Sequence, residues 1–367
     1  MSISSLPTEL LRQIIESNVP ASFRFASYSE RQYALRSLCL VSRRFCAIAQ
    51  PLLLEIVWVS PRKLNRTVDL MELKGWYNEM LEVVCSDEVG GGIAQSPFDR
   101  LAQDTGNLRT LVLRSQSGEL DLAPLKQLRN LSQLRLFGNG FSLSSPFTNS
   151  NLESLTLSHD TLSAISPLLD PVFLPNLHHL AMLDTFKRRH VEQLDYSRFT
   201  RLLAQLTTLY LTWGVLPEAP EWFHEAINLT LFNCDIAEFD HFTQCNLPVQ
   251  HLRITGLFLT RNKTVLSMKF SRITAFIRSQ SAITLRSLYL DAPFEVVPRV
   301  PAEFKRASQA LIKVCEAKKV DLIFEEHPSD WQLDSVISED FGKRQTESRK
   351  IKEVMEQGVA EKEVDLA

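Results

Sequence analysis

The sequence contains no C-x-x-C pair, no G-x-S-x-G, no H-E-x-x-H and no Walker-type phosphate loop. Those absences remove the short-range signatures of a zinc knuckle, a nucleophile elbow, a zincin and a P-loop nucleotide site. Catalytic, cofactor-binding and metal-ligating residues are accordingly assigned as none, and the chain is read as a non-enzyme. Six cysteines, Cys39, Cys46, Cys85, Cys234, Cys245 and Cys315, are scattered along 367 residues. Scatter of this kind fits reduced thiols in a cytoplasmic or nuclear protein better than a disulfide framework. The glycosylation sequons at Asn65, Asn130, Asn228 and Asn262 are then read as chance. No basic n-region or long apolar core marks the first residues as a leader. No run of about 18 apolar residues occurs, so no membrane span is expected. A net charge of −3 supplies no field for nucleic acid or an anionic membrane, and neither is expected as a partner. Hydrophobic residues at 44% and charged residues at 23% provide enough apolar side chains for a packed core, which argues against a chain disordered throughout.

What is present is a repeat. Asn130 to Asn139 reads NLSQLRLFGN, with Leu131, Leu134 and Leu136 spaced L-x-x-L-x-L. Leu134 and Leu136 are two apart, so on a strand they share one face, while Gln133, Arg135 and Phe137 take the other. One such strand cannot bury its leucine face alone, but stacked copies can. Copies follow at Leu108-Leu111-Leu113, Leu152-Leu155-Leu157, Leu177-Leu180-Met182, Leu206-Leu209-Leu211, Leu229-Leu231 with Cys234, Val249-Leu252-Ile254 and Leu285-Leu288-Leu290. Val320, Leu322 and Phe324 read as a closing strand, and the two longest gaps hold helical patterns at 265–278 and 301–318. The pattern is that of leucine-rich repeats. It predicts an α/β chain in which an N-terminal all-α domain precedes an irregular horseshoe solenoid of short parallel strands and helices, strands on the concave side.

The N-terminal domain is predicted from a second pattern. A short helix is expected over 6–17, opened by Pro7 at its first position with Glu9 in the first turn. A second helical pattern runs from Glu30 to about Gln50. The residues Leu6-Pro7-Thr8-Glu9-Leu10-Leu11, then Ile14-Ile15, then Leu38-Cys39-Leu40-Val41-Ser42-Arg43-Arg44-Phe45 resemble an F-box, which opens L-P-x-E-L-L and closes with a V-S/C-R-x-[FW] helix. The link between the halves is longer than in compact F-boxes, and Phe45 stands where many members carry Trp. A plain helical hairpin capping the solenoid is the competing reading. The resemblance implies docking on a Skp-type adaptor, and through it on a cullin, with Leu6, Pro7, Glu9, Leu10, Leu11, Ile14, Ile15, Leu38, Val41, Ser42 and Phe45 as the adaptor-binding set. It further implies that the solenoid holds an unknown protein substrate. The chain would then be the receptor subunit of an SCF-type ubiquitin ligase. The rival is a non-degradative repeat scaffold.

Four segments follow from these patterns: an F-box domain over 1–52, a linking strand (53–59) and helix (62–84) within an N-terminal cap over 53–106, the repeats over 107–326, and a charged tail over 327–367. Among outward strand positions, Arg135, Phe137, Tyr210, Phe232, Arg253 and Tyr289 are the substrate-binding candidates, since aromatics and arginine are enriched at binding hot spots. Three other features are read as bland. Gly90-Gly91-Gly92 lacks the spacing of a phosphate cradle, Lys187-Arg188-Arg189-His190 is a short surface run, and Cys234 with His241 and Cys245 lacks tight zinc spacing.

Overall fold

The computed structural model describes residues 6–19, 25–86, 92–183, 196–211, 228–235, 239, 249–255, 257, 263–279, 284–290 and 302–324. The triple glycine except Gly92, the basic run at 187–190, His241, Cys245 and the charged tail lie outside them. The chain divides into two compact units, one of residues 1–177 and 185–199, the other of 178–184 and 200–367.

The first unit opens with three helices: α1 (Thr8–Asn18), α2 (Phe25–Val41) and α3 (Arg43–Glu55). Pro7 is the residue before the first helical turn rather than within it, and its carbonyl accepts the Leu11 N–H at 3.0 Å. The single helix expected over 30–50 is two. Ser42 is fully extended (φ −164°, ψ 164°), and its hydroxyl accepts the Phe45 N–H at 3.2 Å. That N-cap starts a new helix one residue after the old one stops. Leu11, Ile15, Val19, Leu35, Ile48, Ala49 and Leu52 form the core, with Leu38, Cys39, Phe45 and Leu53 packed against it.

No linker follows. Leu53 and Leu54, expected on a strand, continue α3 to Glu55, and the strand β1 (Ile56–Val59) begins at the next residue. Arg31 and Gln32 of α2 donate to the carbonyls of Leu52 and Leu53 at 3.5 and 3.3 Å, satisfying acceptors that the last helical turn leaves open. The Tyr28 hydroxyl accepts the Trp58 N–H at 3.3 Å, and the two rings lie 5.5 Å apart. The second helix is thereby fixed to the first strand.

The helix expected over 62–84 is shorter. It is α4 (Pro61–Lys74), ended by Gly75 in the left-handed region (φ 66°), where glycine carries no steric penalty. Leu64, Val68 and Met71 are its buried face. Leu70 and Leu73 are 47% and 79% exposed. The chain then forms β2 (Glu82–Cys85), α5 (Gln95–Asp104), β3 (Thr110–Arg114), β4 (Leu120–Asp121), β5 (Gln133–Phe137), β6 (Phe141–Ser142), β7 (Ser154–Ser158) and α6 (His159–Ile165). Strands β1, β2, β3, β5 and β7 pair in that order, all parallel, and β4 pairs separately with β6. In register, Val57, Val83, Leu111, Leu134 and Leu155 make one inward row. Val59, Cys85, Leu113, Leu136 and Leu157 make the next. Two repeats thus precede the first one expected, disguised because valine and cysteine replace leucine.

A row of asparagines runs beside these strands. Asn107, Asn130, Asn151 and Asn176 each stand immediately before the first leucine of a repeat. Their side-chain amides donate to the carbonyls of Asn78 (3.0 Å), Gly106 (2.6 Å), Arg129 and Ser150 (2.6 Å). Each closes a turn of the neighbouring repeat that would otherwise rely on water. Asn139, three residues after the last leucine of its repeat, is exposed. The turn there depends on Gly138 instead: φ is 106°, and a Cβ would lie 2.0 Å from the Ser115 carbonyl oxygen.

Asp121 joins β4 to β6. Its carboxylate accepts the Ser144 N–H (3.0 Å), the Ser144 hydroxyl (2.6 Å) and the Ala123 N–H (3.1 Å). Partial burial opposes ionisation, but these bonds and the nearby Lys126 hold the carboxyl below its ordinary 3.8. A carboxyl depressed in the folded state contributes stability above its unfolded value, and that contribution is lost as pH falls through the folded value. Asp121→Ala is therefore expected to destabilise the chain by about 1 kcal/mol at neutral pH. In urea melts, the gap from wild type should close below pH 3.8. An equal gap at every pH would mean the carboxylate charge plays no part.

The second unit carries β8 (His179–Leu183), β9 (Thr208–Leu211), β10 (Leu231–Asp235), β11 (His251–Thr255), β12 (Ser287–Leu290) and β13 (Asp321–Phe324), also parallel and in chain order. A helix α7 (Tyr196–Leu203) precedes β9, and α8 (Lys263–Arg278) and α9 (Ala302–Lys318) occupy the long gaps. Leu180, Leu209, Phe232, Leu252, Leu288 and Leu322 align as one inward row. Met182, Leu211, Cys234, Ile254, Leu290 and Phe324 align as the next. The asparagine device recurs once here, Asn228 donating to the Ala204 carbonyl at 2.6 Å. In α8, Leu266, Phe270, Ile273, Phe276 and Ile277 are buried, while Met268 is 52% exposed.

Candidate functional site

Two surfaces hold the candidate residues: the N-terminal helices, and the strand face opposite the leucines.

On the helices, the adaptor-binding set separates by burial. Leu11 and Ile15 point into the core, at 2% and 4% exposure, and Leu38 and Phe45 pack against it. Leu11 and Ile15 close the bundle, while Leu38 and Phe45 line it and stay partly exposed. Ser42 caps α3, and Leu6 is half-buried. Pro7 and Glu9 are exposed at the entry to α1. What remains is apolar and outward: Leu10 (47%), Ile14 (48%) and Val41 (64%). Two residues outside the expected set join them, Leu40 at 88% and Tyr33 at 77%. Of the nine large hydrophobics exposed among the described residues, five belong to these three helices. Leu10 and Ile14 lie on α1 and Tyr33, Leu40 and Val41 on α2, and exposed apolar side chains are the groups a partner surface would cover. Tyr33 and Leu40 are seven apart, hence on one side of α2, and Leu40 is about 200° round the helix from Leu38. An apolar residue off the buried stripe was the available signal.

Polar bonds fix this surface in place. The Arg44 guanidinium donates to the Leu6 carbonyl and lies 3.4 Å from the Thr8 hydroxyl, tying the start of α1 to the start of α3. Glu55, at the end of α3, receives Arg12 of α1 at 3.2 Å and Arg31 of α2 at 3.7 Å. One carboxylate thus joins all three helices. Burial raises its pKa above the ordinary value of 4.5, against the pull of both arginines.

On the strand face of the first unit, Trp58, Val84, Val112, Arg135 and Thr156 are in register. Arg135 is half-buried rather than free. Desolvation lowers its pKa and raises that of Glu82, while the two charges attract. The neighbouring outward position pairs Arg114 with Phe137, the guanidinium carbon 5.6 Å from the ring centroid. Arg114 is exposed and Phe137 half-exposed, so this cation–π pair is presented to solvent.

In the second unit the corresponding row is Ala181, Tyr210, Asn233, Arg253, Tyr289 and Ile323. Tyr210 is partly exposed as expected. Three other candidates are corrected. Phe232 lies on the inward row, at 0% exposure. The sixth repeat is Leu229-x-x-Phe232-x-Cys234, not Leu229-x-Leu231, and a slip of one residue exchanges the two faces of a strand. Cys234 is for the same reason a core residue. Arg253 and Tyr289 occupy the expected face but are only 5% and 6% exposed. They sit side by side on strands roughly 4.8 Å apart, where long neighbouring side chains screen one another.

Among the described residues no group of three or more metal-ligating side chains comes together, and no helix is long and apolar enough to cross a membrane. No family model and no curated protein matches the chain. Solved structures similar to it include a protein from Bacteroides fragilis, at 12% identity and a TM-score of 0.40, over 84% of this chain and 87% of that one. Another is a leucine-rich repeat-containing protein from Legionella pneumophila, at 13% identity and a TM-score of 0.43, over 76% of this chain and 95% of that one. The fold itself, parallel strands with inward leucine rows recurring at each repeat, is leucine-rich-repeat-like.

Proposed function

We propose that the chain is the substrate receptor of an SCF-type ubiquitin ligase. Its three N-terminal helices act as an F-box that docks a Skp-type adaptor, and its repeats hold a protein substrate. The observation that carries this reading is the division of labour in α1 and α2. Leu11, Ile15 and Leu35 complete a core, while Leu10, Ile14, Tyr33, Leu40 and Val41 stay outside it. A helical hairpin serving only to cap the repeats has no use for five unburied apolar side chains. The motif residues from Leu6 to Phe45 supply the identity of the partner, by their resemblance to an F-box.

The receptor performs no bond chemistry. Its contribution is effective concentration: a substrate lysine is held near a charged conjugating enzyme. The substrate surface of the first unit comprises Arg114, Arg135 and Phe137, and Tyr210 serves in the second. The fixed joint between α2 and β1, made by Tyr28, Trp58, Arg31 and Gln32, suits this role, because a rigid receptor holds its cargo at a set distance from the ligase.

The test is co-expression of the full chain with a Skp-type adaptor, followed by size-exclusion chromatography. A stoichiometric complex is expected. Separate elution supports the plain repeat scaffold instead. A stable complex in cells whose bound partner keeps its half-life on depletion of this chain would identify a non-degradative adaptor.

A further inference from the structure

Ser-Pro occurs four times in the chain, at Ser60-Pro61, Ser96-Pro97, Ser145-Pro146 and Ser166-Pro167. Three of the pairs are built into helices. Ser60 is the residue before α4, its carbonyl accepts the Lys63 N–H at 2.9 Å, and Pro61 is buried in the first turn. Ser96 and Pro97 lie in the first turn of α5, with Pro97 buried. Ser166 and Pro167 belong to a short 3-10 turn (Ser166–Leu168), and both are half-buried. Ser145 and Pro146 differ. Both are exposed, and both lie outside every helix and strand, in the link between β6 and β7. The Ser145 hydroxyl makes no hydrogen bond among the described residues. The link is anchored on either side of this pair. Ser144 gives its N–H and its hydroxyl to the Asp121 carboxylate, and Phe147 is buried.

We propose that Ser145 is the target of a proline-directed protein kinase, and that its phosphate loosens the β4–β6 pair by repelling Asp121. The proposal is independent of what the N-terminal helices dock. A kinase must bring the acceptor hydroxyl in line with the γ-phosphate of ATP, which an exposed link permits and a helical turn forbids. Proline after the serine suits a kinase pocket that offers no acceptor to the next residue, because proline has no backbone N–H to leave unpaired. In the transfer, the Ser145 Oγ attacks the γ-phosphorus and its proton passes to the kinase's catalytic aspartate. The bond from the γ-phosphorus to the bridging oxygen breaks, and ADP leaves. The product carries about −1.5 to −2 charge at neutral pH. It stands one residue from Ser144, which Asp121 holds by bonds of 3.0 and 2.6 Å. The nearby Lys126 brings one positive charge against about three negative ones. Like charges placed together disrupt what they join, and what Asp121 joins is β4 to β6.

The test incubates the natively folded full chain with ATP and a recombinant proline-directed serine kinase. Four synthetic peptides spanning the Ser-Pro sites serve as the unfolded reference, and phosphate is mapped by mass spectrometry. Ser145 of the native chain should be modified, and Ser145→Ala should remain unmodified. Ser60, Ser96 and Ser166 should react about tenfold or more slowly in the chain than in their peptides, since each must first leave its helical turn. Amide hydrogen exchange then compares the chain before and after phosphorylation. The Leu120 and Leu122 N–H groups donate across the β4–β6 pair to the Gly140 and Ser142 carbonyls at 2.9 and 3.0 Å. Their exchange should quicken roughly threefold, the scale of a charge interaction at an exposed site. Asp121→Asn removes the charge and keeps a carbonyl acceptor, so in that variant phosphate should produce no quickening. A native chain left without phosphate on Ser145 overturns the site, as does equal modification of all four serines. Exchange that is unchanged, slowed, or equally quickened in Asp121→Asn overturns the repulsion.

Discussion

Phe232→Ala should cost about 3–5 kcal/mol of folding stability, although Phe232 occupies what the repeat pattern marks as an outward position. The ring is fully buried in the inward row, between Leu209 on one strand and Leu252 on the other. Alanine would leave a cavity the size of the lost ring, and flanking leucines anchored in their own strands collapse into it only partly. Tyr210→Ala is the control. Tyr210 lies one register position away on the neighbouring strand and points to the opposite face, where it is partly exposed. Its loss should cost about 1 kcal/mol or less. Chemical denaturation of the two variants is enough to compare them. Equal losses would mean that β10 has the register of Leu231, and that Phe232 belongs to the binding surface after all.

This contrast also shows where the sequence was legible. Leucine at both inward positions made β3, β5, β7 and β12 readable, because the side chains that fill the core are the ones the motif names. Where Val57, Val83, Cys85, Phe232 and Cys234 fill the same positions, packing is satisfied but the letter pattern is broken. The core demands apolar volume, not leucine. The asparagines at 107, 130, 151, 176 and 228 were a steadier marker than the leucines after them, since each makes one specific bond. The same bonds bear on the sequons at Asn130 and Asn228, whose amide nitrogens are already used within the fold. Gly75 was the overlooked stop signal of α4. On the candidate site, the sequence gathered Leu10, Leu11, Ile14 and Ile15 into one stripe, but only packing against α3 separates inward Leu11 and Ile15 from outward Leu10 and Ile14.

That separation gives the second large prediction. Leu10→Ala with Ile14→Ala should reduce adaptor affinity at least tenfold while leaving the melting curve nearly unchanged. Both side chains are about half exposed, so truncation removes little from the folded core. The exposed half of each would be desolvated in the complex, and as full burial of such a side chain contributes about 1.5–3 kcal/mol, that half contributes about 0.8–1.5 kcal/mol. Two of them reach the roughly 1.4 kcal/mol that a tenfold change represents. Leu11→Ala should behave in the opposite way. At 2% exposure it is core, and its loss should lower stability by about 2–5 kcal/mol, weakening the adaptor only as far as the bundle itself unfolds. A fall in stability for the outward pair matching that for Leu11 would mean that the two faces of α1 have been exchanged.

The most direct measurement is a calorimetric titration of a purified Skp-type adaptor into the reduced full-length chain and, in parallel, into the Leu10→Ala, Ile14→Ala double variant. The ligase-receptor account predicts one adaptor bound per chain, and a dissociation constant at least tenfold weaker for the variant at unchanged melting temperature. No heat with the wild-type chain, or equal affinity for both proteins, would contradict it.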